Sequence, residues 1–351
     1  MKRTDILIIL AAAALGMGCK QVEEQAISLS SDDECVVVGN IKGLKNGSVV
    51  LQDEYDGYKV IAEGTAKKGR FIIRTEVSQP TYVFLYSGRG EQLRDFFLEP
   101  GIISVVGDDV DEDYGDGATG TPSNDYIQTF RKERKLVADS ELAPLVQRYY
   151  DNAPTDIVRL NLIDDFRIWP SKQKIELINA LDPTVFSMPG VASMLELFTR
   201  RANVEPDGEN FYVDIEQADP EGNIISLKEI VEKPGNKYVL VDFWATWCSP
   251  CREEMPIVKD AYARYHDKGF DIYAVSLDNG SRLKIWRKYI VENELPWTNV
   301  DSDEYTSTKA YKDYAIQGIP DNVLIDCSDG RIVGRTLRGE NLAAKLAELL
   351  D

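Results

Sequence analysis

One histidine, His266, stands in a chain of 351 residues that also holds only five cysteines and five methionines. That imidazole sits in a charged helical stretch and is expected to face solvent, so cysteine hydrolysis of the Cys–His kind lacks its base. Five cysteines are too few for a disulfide-stapled scaffold of this length. Cationic side chains are also short: 40 Lys and Arg face 59 Asp and Glu, for a formal charge of −19. This balance argues against nucleic acid, whose phosphates would be repelled, and against electrostatic binding to an anionic membrane surface. Beyond the first residues no apolar run is long enough for a transmembrane helix. No internal repeat or low-complexity tract stands out. Apolar residues make up 43% and charged residues 28%, an ordinary globular profile, and the length allows two or three domains.

What is present concentrates in Val241-Asp242-Phe243-Trp244-Ala245-Thr246-Trp247-Cys248-Ser249-Pro250-Cys251. An apolar β-type run, Tyr238 to Trp244, leads into two cysteines and then a charged, helix-forming segment. A strand therefore delivers Cys248 to the first turn of a helix. There the helix N-terminus and its free N–H groups favour a thiolate. The thiolate is the nucleophile in disulfide exchange, which makes Cys248 the attacking sulfur. Cys251, one turn on, is placed to resolve a mixed disulfide. A zinc site would need two further ligands. Cys19, Cys35, Cys327 and His266 are each isolated, so no metal is expected.

This segment resembles the thioredoxin superfamily, and more closely the TlpA/ResA-like thiol-disulfide oxidoreductases, over about residues 205 to 351. The resemblance implies a thioredoxin-like α/β fold and a redox-active disulfide with no further cofactor. Asp242 matches the buried acid that accepts a proton from the second cysteine. Glu254 matches the glutamate that ResA-like reductases carry near the disulfide. Pro256 matches the proline that kinks the active-site helix. Ile319-Pro320 matches the cis-proline loop, with one departure: Asp321 stands where a threonine is usual.

Physical chemistry supports several of these assignments. Asp242 lies in an apolar strand, where burial disfavours the charged form and raises the pKa. A carboxyl poised that way can take a proton from Cys251. A cis bond at Ile319-Pro320 would turn the Ile319 backbone toward an extended substrate chain. Trp244 and Trp247 are expected to pack, and Trp247, beside Cys248, could also offer an apolar platform to the target.

The first residues read as a targeting segment. Lys2 and Arg3 precede an apolar stretch, Ile6 to Leu15, too short to span a bilayer. Small residues lead to Cys19, which resembles the lipidated cysteine of a bacterial lipoprotein. The expected organisation is a signal peptide over 1–18 and a flexible tether over 19–34. A small antiparallel β domain over 35–108 and an acidic loop with a helical linker region over 109–204 lead to the thioredoxin-like domain over 205–351. The β part resembles a domain of unknown function found ahead of TlpA-like domains, carried by Asp95 to Gly101 and Gly120 to Asp125. The acidic loop lacks the spacing and terminal Glu of a calcium-binding loop. Cys35 and Cys327 are expected to be buried free thiols rather than a bridge.

The expectation is an exported thiol-disulfide oxidoreductase in the periplasm or cell envelope, lipid-anchored to a membrane through Cys19. Its partners would be protein disulfide substrates and a membrane electron donor that acts as thiol reductant. Cys248, Cys251, Asp242 and Glu254 would do the chemistry; Ile319, Pro320 and Trp247 would hold the substrate. The rivals are a disulfide oxidase or isomerase, and a non-enzymatic copper-binding or assembly lipoprotein on the same fold.

Overall fold

The computed structural model describes residues 27–53, 56–108, 117–166, 168–301 and 309–351. Cys19, the stretch 1–18 and Asp109, Asp111 and Asp113 of the acidic loop lie outside the described residues. The chain divides into two compact units, one holding residues up to 168 with 177–193, the other 169–176 with 194–351.

The first unit is built on two four-stranded sheets. Its strands are β1 (Glu34–Lys42), β2 (Gly47–Asp53), β3 (Lys59–Ala66), β4 (Arg70–Glu76), β5 (Thr81–Ser87), β6 (Gln92–Leu98), β7 (Gly101–Asp108) and β8 (Ala118–Thr119). One sheet runs β4-β1-β7-β8 and the other β3-β2-β5-β6. Alternation fixes which side chains turn inward. In β4, for example, Phe71 and Ile73 are buried while Ile72 between them is exposed. Inward residues of both sheets, among them Val37, Leu51, Ile73, Leu85, Phe96 and Val105, form one core. Gly69 turns β3 into β4 at φ 80°, and a Cβ there would sit 2.3 Å from the Ile41 carbonyl oxygen. The pairing is antiparallel with one exception: β1 and β7 run parallel.

Three helices follow these strands: α1 (Pro122–Arg134), α2 (Leu142–Asp151) and α3 (Asp156–Asp165). The two short motifs that carried the N-terminal resemblance meet here. Asn124 of α1 donates to the Phe97 carbonyl at 2.8 Å and accepts from the Phe97 N–H at 3.0 Å. Glu99 accepts from the Ser123 N–H at 2.9 Å and hydroxyl at 2.8 Å. Buried backbone and side-chain groups thereby satisfy one another, locking α1 to β6.

Helices α4 (Ser171–Asn179) and α5 (Pro189–Ala202) come next in the chain, followed by the sheet of the second unit. It contains β9 (Glu216–Ala218), β10 (Ile224–Ser226), β11 (Tyr238–Trp244), β12 (Phe270–Ser276), β13 (Thr298–Asp301), β14 (Asp321–Asp326) and β15 (Ile332–Arg335), in the order β10-β9-β13-β12-β11-β14-β15. The helices are α6 (Leu227–Val231), α7 (Ser249–Tyr265), α8 (Leu283–Glu292), α9 (Lys309–Asp313) and α10 (Glu340–Leu350). Ser226 and Glu229 close a capping box at the start of α6, as their spacing predicts. Strand β11 is central: β12 pairs with it in parallel and β14 antiparallel. That explains its nearly continuous apolar sequence, since both of its faces are covered. Leu240 and Trp244 share a core with Met255, Val258 and Leu346. Val241 and Phe243 pack on the other side with Tyr314 and Val323. The fold is the thioredoxin-like layer structure expected for the C-terminal domain.

His266 departs from expectation. It is half-buried at the end of α7, with Nδ1 3.0 Å from the Phe270 carbonyl oxygen and its ring stacked on Tyr262. A ring one helical turn behind it supplies the cover that the charged sequence around it conceals.

Candidate active site

Strand β11 ends at Trp244, and the Ala245–Cys248 loop carries the chain to α7. Cys248 is the N-cap of that helix, and its sulfur accepts from the Cys251 N–H at 3.2 Å. Pro250 lies in the first turn, where a missing N–H costs nothing. Cys248 and Cys251 form a disulfide. Both are buried, and the exposed ring of Trp247 (37% accessible) borders the first of them. Trp244 is packed as expected, whereas Trp247 is not a core residue: it sits in the loop outside the strand's alternating pattern.

The Ile319–Pro320 peptide is cis, and the Ile319 carbonyl oxygen lies 3.7 Å from Cys248 Sγ. A substrate chain attached to that sulfur would run beside this carbonyl, and Trp247 would flank it. The arrangement brings together Cys248, Cys251, Ile319 and Pro320.

Asp242 sits on β11 with the same parity as Leu240 and Trp244, so it points to the face that carries the disulfide. It is 6% exposed. Desolvation is the main cause that raises its pKa, to about 7, and the charges of Asp321 and Glu254 push the same way. Arg338 opposes them. A strand carboxylate turned to solvent is thereby excluded. Glu254, half-buried on α7, accepts from the Gly339 N–H at 3.0 Å. It therefore ties the active-site helix to the loop before α10, in addition to repelling a charge on Asp242.

Sequence reasoning missed three polar residues that frame the site. Asn322 is the cross-strand partner of Asp242, and its side chain exchanges two 2.8 Å hydrogen bonds with the Leu337 backbone. Arg338 donates to the Pro320 carbonyl. Asp278, fully buried, accepts from the Thr246 N–H at 2.7 Å, the Thr246 hydroxyl at 2.6 Å and the Ser276 hydroxyl at 2.9 Å. A carboxylate two residues beyond the largely apolar Phe270–Ser276 strand was the available signal for the last of these. Asp278→Ala should leave the Thr246 N–H unpaired and cost about 1–3 kcal/mol. The measurement is a urea midpoint on the oxidised protein, and an unchanged midpoint would refute the clasp.

His266 stands at the opposite end of α7 from Cys248, about 25 Å away by helical rise, so it serves neither sulfur as a base. Cys35 and Cys327 are free thiols, the first buried and the second half-buried, and burial pushes both up to about 12. No cluster of three metal-ligating side chains occurs among the described residues.

A strand-to-helix CxxC beside a cis-proline loop on this sheet defines a thiol-disulfide oxidoreductase of the thioredoxin class. The matches with known proteins narrow the class. Residues 235–332 match the Thioredoxin-like family and residues 35–126 a domain of unknown function (DUF4369). The thiol-disulfide oxidoreductase ResA of Bacillus thuringiensis is 30% identical over 155 residues, 44% of this chain and 81% of that protein. The ResA of Bacillus cereus strain ZK is 30% identical over 151 residues, 43% of this chain and 79% of its own length. The thioredoxin domain of a thiol-disulfide oxidoreductase from Bacteroides vulgatus is 34% identical, with a TM-score of 0.36, over 40% of this chain and 96% of that one. The chain belongs to the ResA-like family of thiol-disulfide oxidoreductases.

Proposed function

We propose that the chain is an exported, envelope-tethered reductase of protein disulfides. Cys248, as thiolate, attacks one sulfur of a substrate disulfide and expels the other, which takes up a proton. Cys251 then attacks Cys248 Sγ, gives its proton to Asp242 and releases the second substrate sulfur as a thiol. Two electrons pass from the dithiol to the substrate, and the Cys248–Cys251 disulfide is left behind. Glu254 assists by its charge. Ile319 and Pro320 align the substrate backbone, and Trp247 covers its side chains. A membrane thiol reductant restores the dithiol, and a lipid on Cys19 holds the chain in the periplasm or cell envelope. The domains run 35–108, 109–204 and 205–351 in this reading.

The observation that carries the proposal is the Ile319 carbonyl 3.7 Å from Cys248 Sγ at the start of α7, which gives the attacking sulfur both an activating dipole and a substrate ledge. The test is capture. Cys251→Ser, reduced and offered a disulfide-bonded protein, should accumulate a covalent complex through Cys248, visible by intact mass and reversed by dithiothreitol. No complex with any protein disulfide would refute the mechanism. A measured potential well above about −200 mV would refute the reductive direction.

A further inference from the structure

Asp321 occupies the position directly after the cis-proline, yet none of the chemistry above uses it. Its side chain is 2% exposed. It pairs in register with Phe243, one step from the Asp242–Asn322 pair, so it points to the sheet face opposite the disulfide. On that face Arg335 Nη2 donates to it at 3.0 Å and the Thr336 hydroxyl at 2.8 Å. Arg201 Nη1 approaches to 3.9 Å.

The same two arginines hold the loop that leads to the ledge. Arg335 Nη2 donates to the Tyr314 carbonyl at 2.7 Å, and Arg201 Nη1 donates to the Gln317 side chain at 3.2 Å. The carboxylate of Asp321 is therefore the counter-ion of Arg335, which holds the 314–317 segment, and it shares Arg201 with Glu205, which lies 3.6 Å from that guanidinium. A neutral side chain would leave Arg335, whose charged group is 4% exposed, without its counter-ion.

We propose that Asp321 is a positioning residue for disulfide exchange: from behind the sheet it fixes the Ile319–Pro320 ledge and maintains a second negative charge next to Asp242. The ledge role rests on the reductase reading above; the charge role does not. The groups that bear on Asp242 come from three elements: Asp321 on β14, Glu254 on α7 and Arg338 before α10. Burial is the larger cause and two of the three neighbours are acids, so Asp242 holds its proton at a pH where an isolated aspartate has long lost it. Removing either acid should release that proton earlier, and removing Arg338 should delay it.

The experiment is a carboxyl-carbon NMR titration of the oxidised full chain, in which neither active-site sulfur titrates. The Asp242 midpoint, about 7 in the wild type, should fall by about one pH unit in Asp321→Asn and rise in Arg338→Gln. Asp321→Asn/Arg335→Met removes the carboxylate with its cation, so it should fold even where the single variant does not. Its fall should run in the same direction and be smaller, because the departing cation had opposed the acid. An unmoved midpoint in either folded variant, with only a lowered melting temperature, would overturn the proposal and leave Asp321 a structural ion pair. Resolution of a mixed disulfide gives the second readout: its pH profile should move down by the same interval. The NMR shift does not depend on turnover, so a protein that fails to reduce disulfides would still report on Asp321.

Discussion

Cys248→Ser should lose protein-disulfide reduction by at least about three orders of magnitude, down to the rate of the free reductant. A hydroxyl at this position ionises far too weakly to attack a disulfide, and no other thiol among the described residues can substitute. Cys251 is 2% exposed beneath the first turn of α7, and Cys35 and Cys327 are pushed up to about 12 by burial. The variant separates chemistry from folding unusually well. Cys248 is the N-cap of α7, and its sulfur accepts the Cys251 N–H. Serine is among the strongest N-cap residues, so the helix start should be as stable as in the reduced wild type, within about 1 kcal/mol. Insulin reduction and a urea titration of the same sample check both halves. Retained activity would remove Cys248 from the mechanism, while loss of activity with loss of fold would leave the cap, not the nucleophile, as the cause.

Much of this site was legible because it is local. Tyr238 to Trp244 is the central strand, covered on both faces, and central strands advertise themselves as apolar runs. The CxxC follows where this strand hands over to a helix, so the position of both cysteines at the helix start could be read from the sequence. Asp242 was conspicuous as the single charge in that run. What stayed hidden depends on pairing across the sheet. Asn322 and Asp278 are ordinary polar residues in sequence, and Asp321 shows only as a departure from the usual threonine. They acquire their roles only when β14 lies against β11 and the chain after β12 returns beneath Thr246. The N-terminal β domain was expected over 35–108, but two of its strands were hidden for a different reason. Strand β3 is half-exposed along most of its length, and β6 contains Arg94 and Asp95 among its apolar residues. Arg94 is buried and donates to the Val106 and Asp108 carbonyls, a partnership no alternation rule anticipates.

Asp242→Asn should make the oxidised protein more stable and the enzyme slower, with both effects set by pH. The carboxyl titrates near 7 in the fold, against 3.8 for an unburied aspartate. Its folded pKa is raised, so the native state binds the proton more tightly than the unfolded chain does. Its contribution is therefore most favourable below about pH 4 and is lost as pH rises through 7. Three units correspond to about 4 kcal/mol, an upper figure for one desolvated group. Asparagine never ionises and escapes this loss. The variant should accordingly gain about 2–4 kcal/mol over the wild type at pH 8, and the gain should shrink steadily toward pH 4. Urea midpoints at four pH values measure it, and a pH-independent difference would mean that Asp242 is not the titrating group. The rate should move oppositely. On the proposed mechanism the wild-type resolving step should accelerate through pH 7 as Asp242 becomes a base for the Cys251 thiol. In the variant that rise should vanish and the step should slow by about 10²–10³. Mixed disulfide would then build up without any change at either cysteine. An acid buried among two other acids and one arginine is thus a liability to the fold, and the proposed resolving step is the use that would justify it.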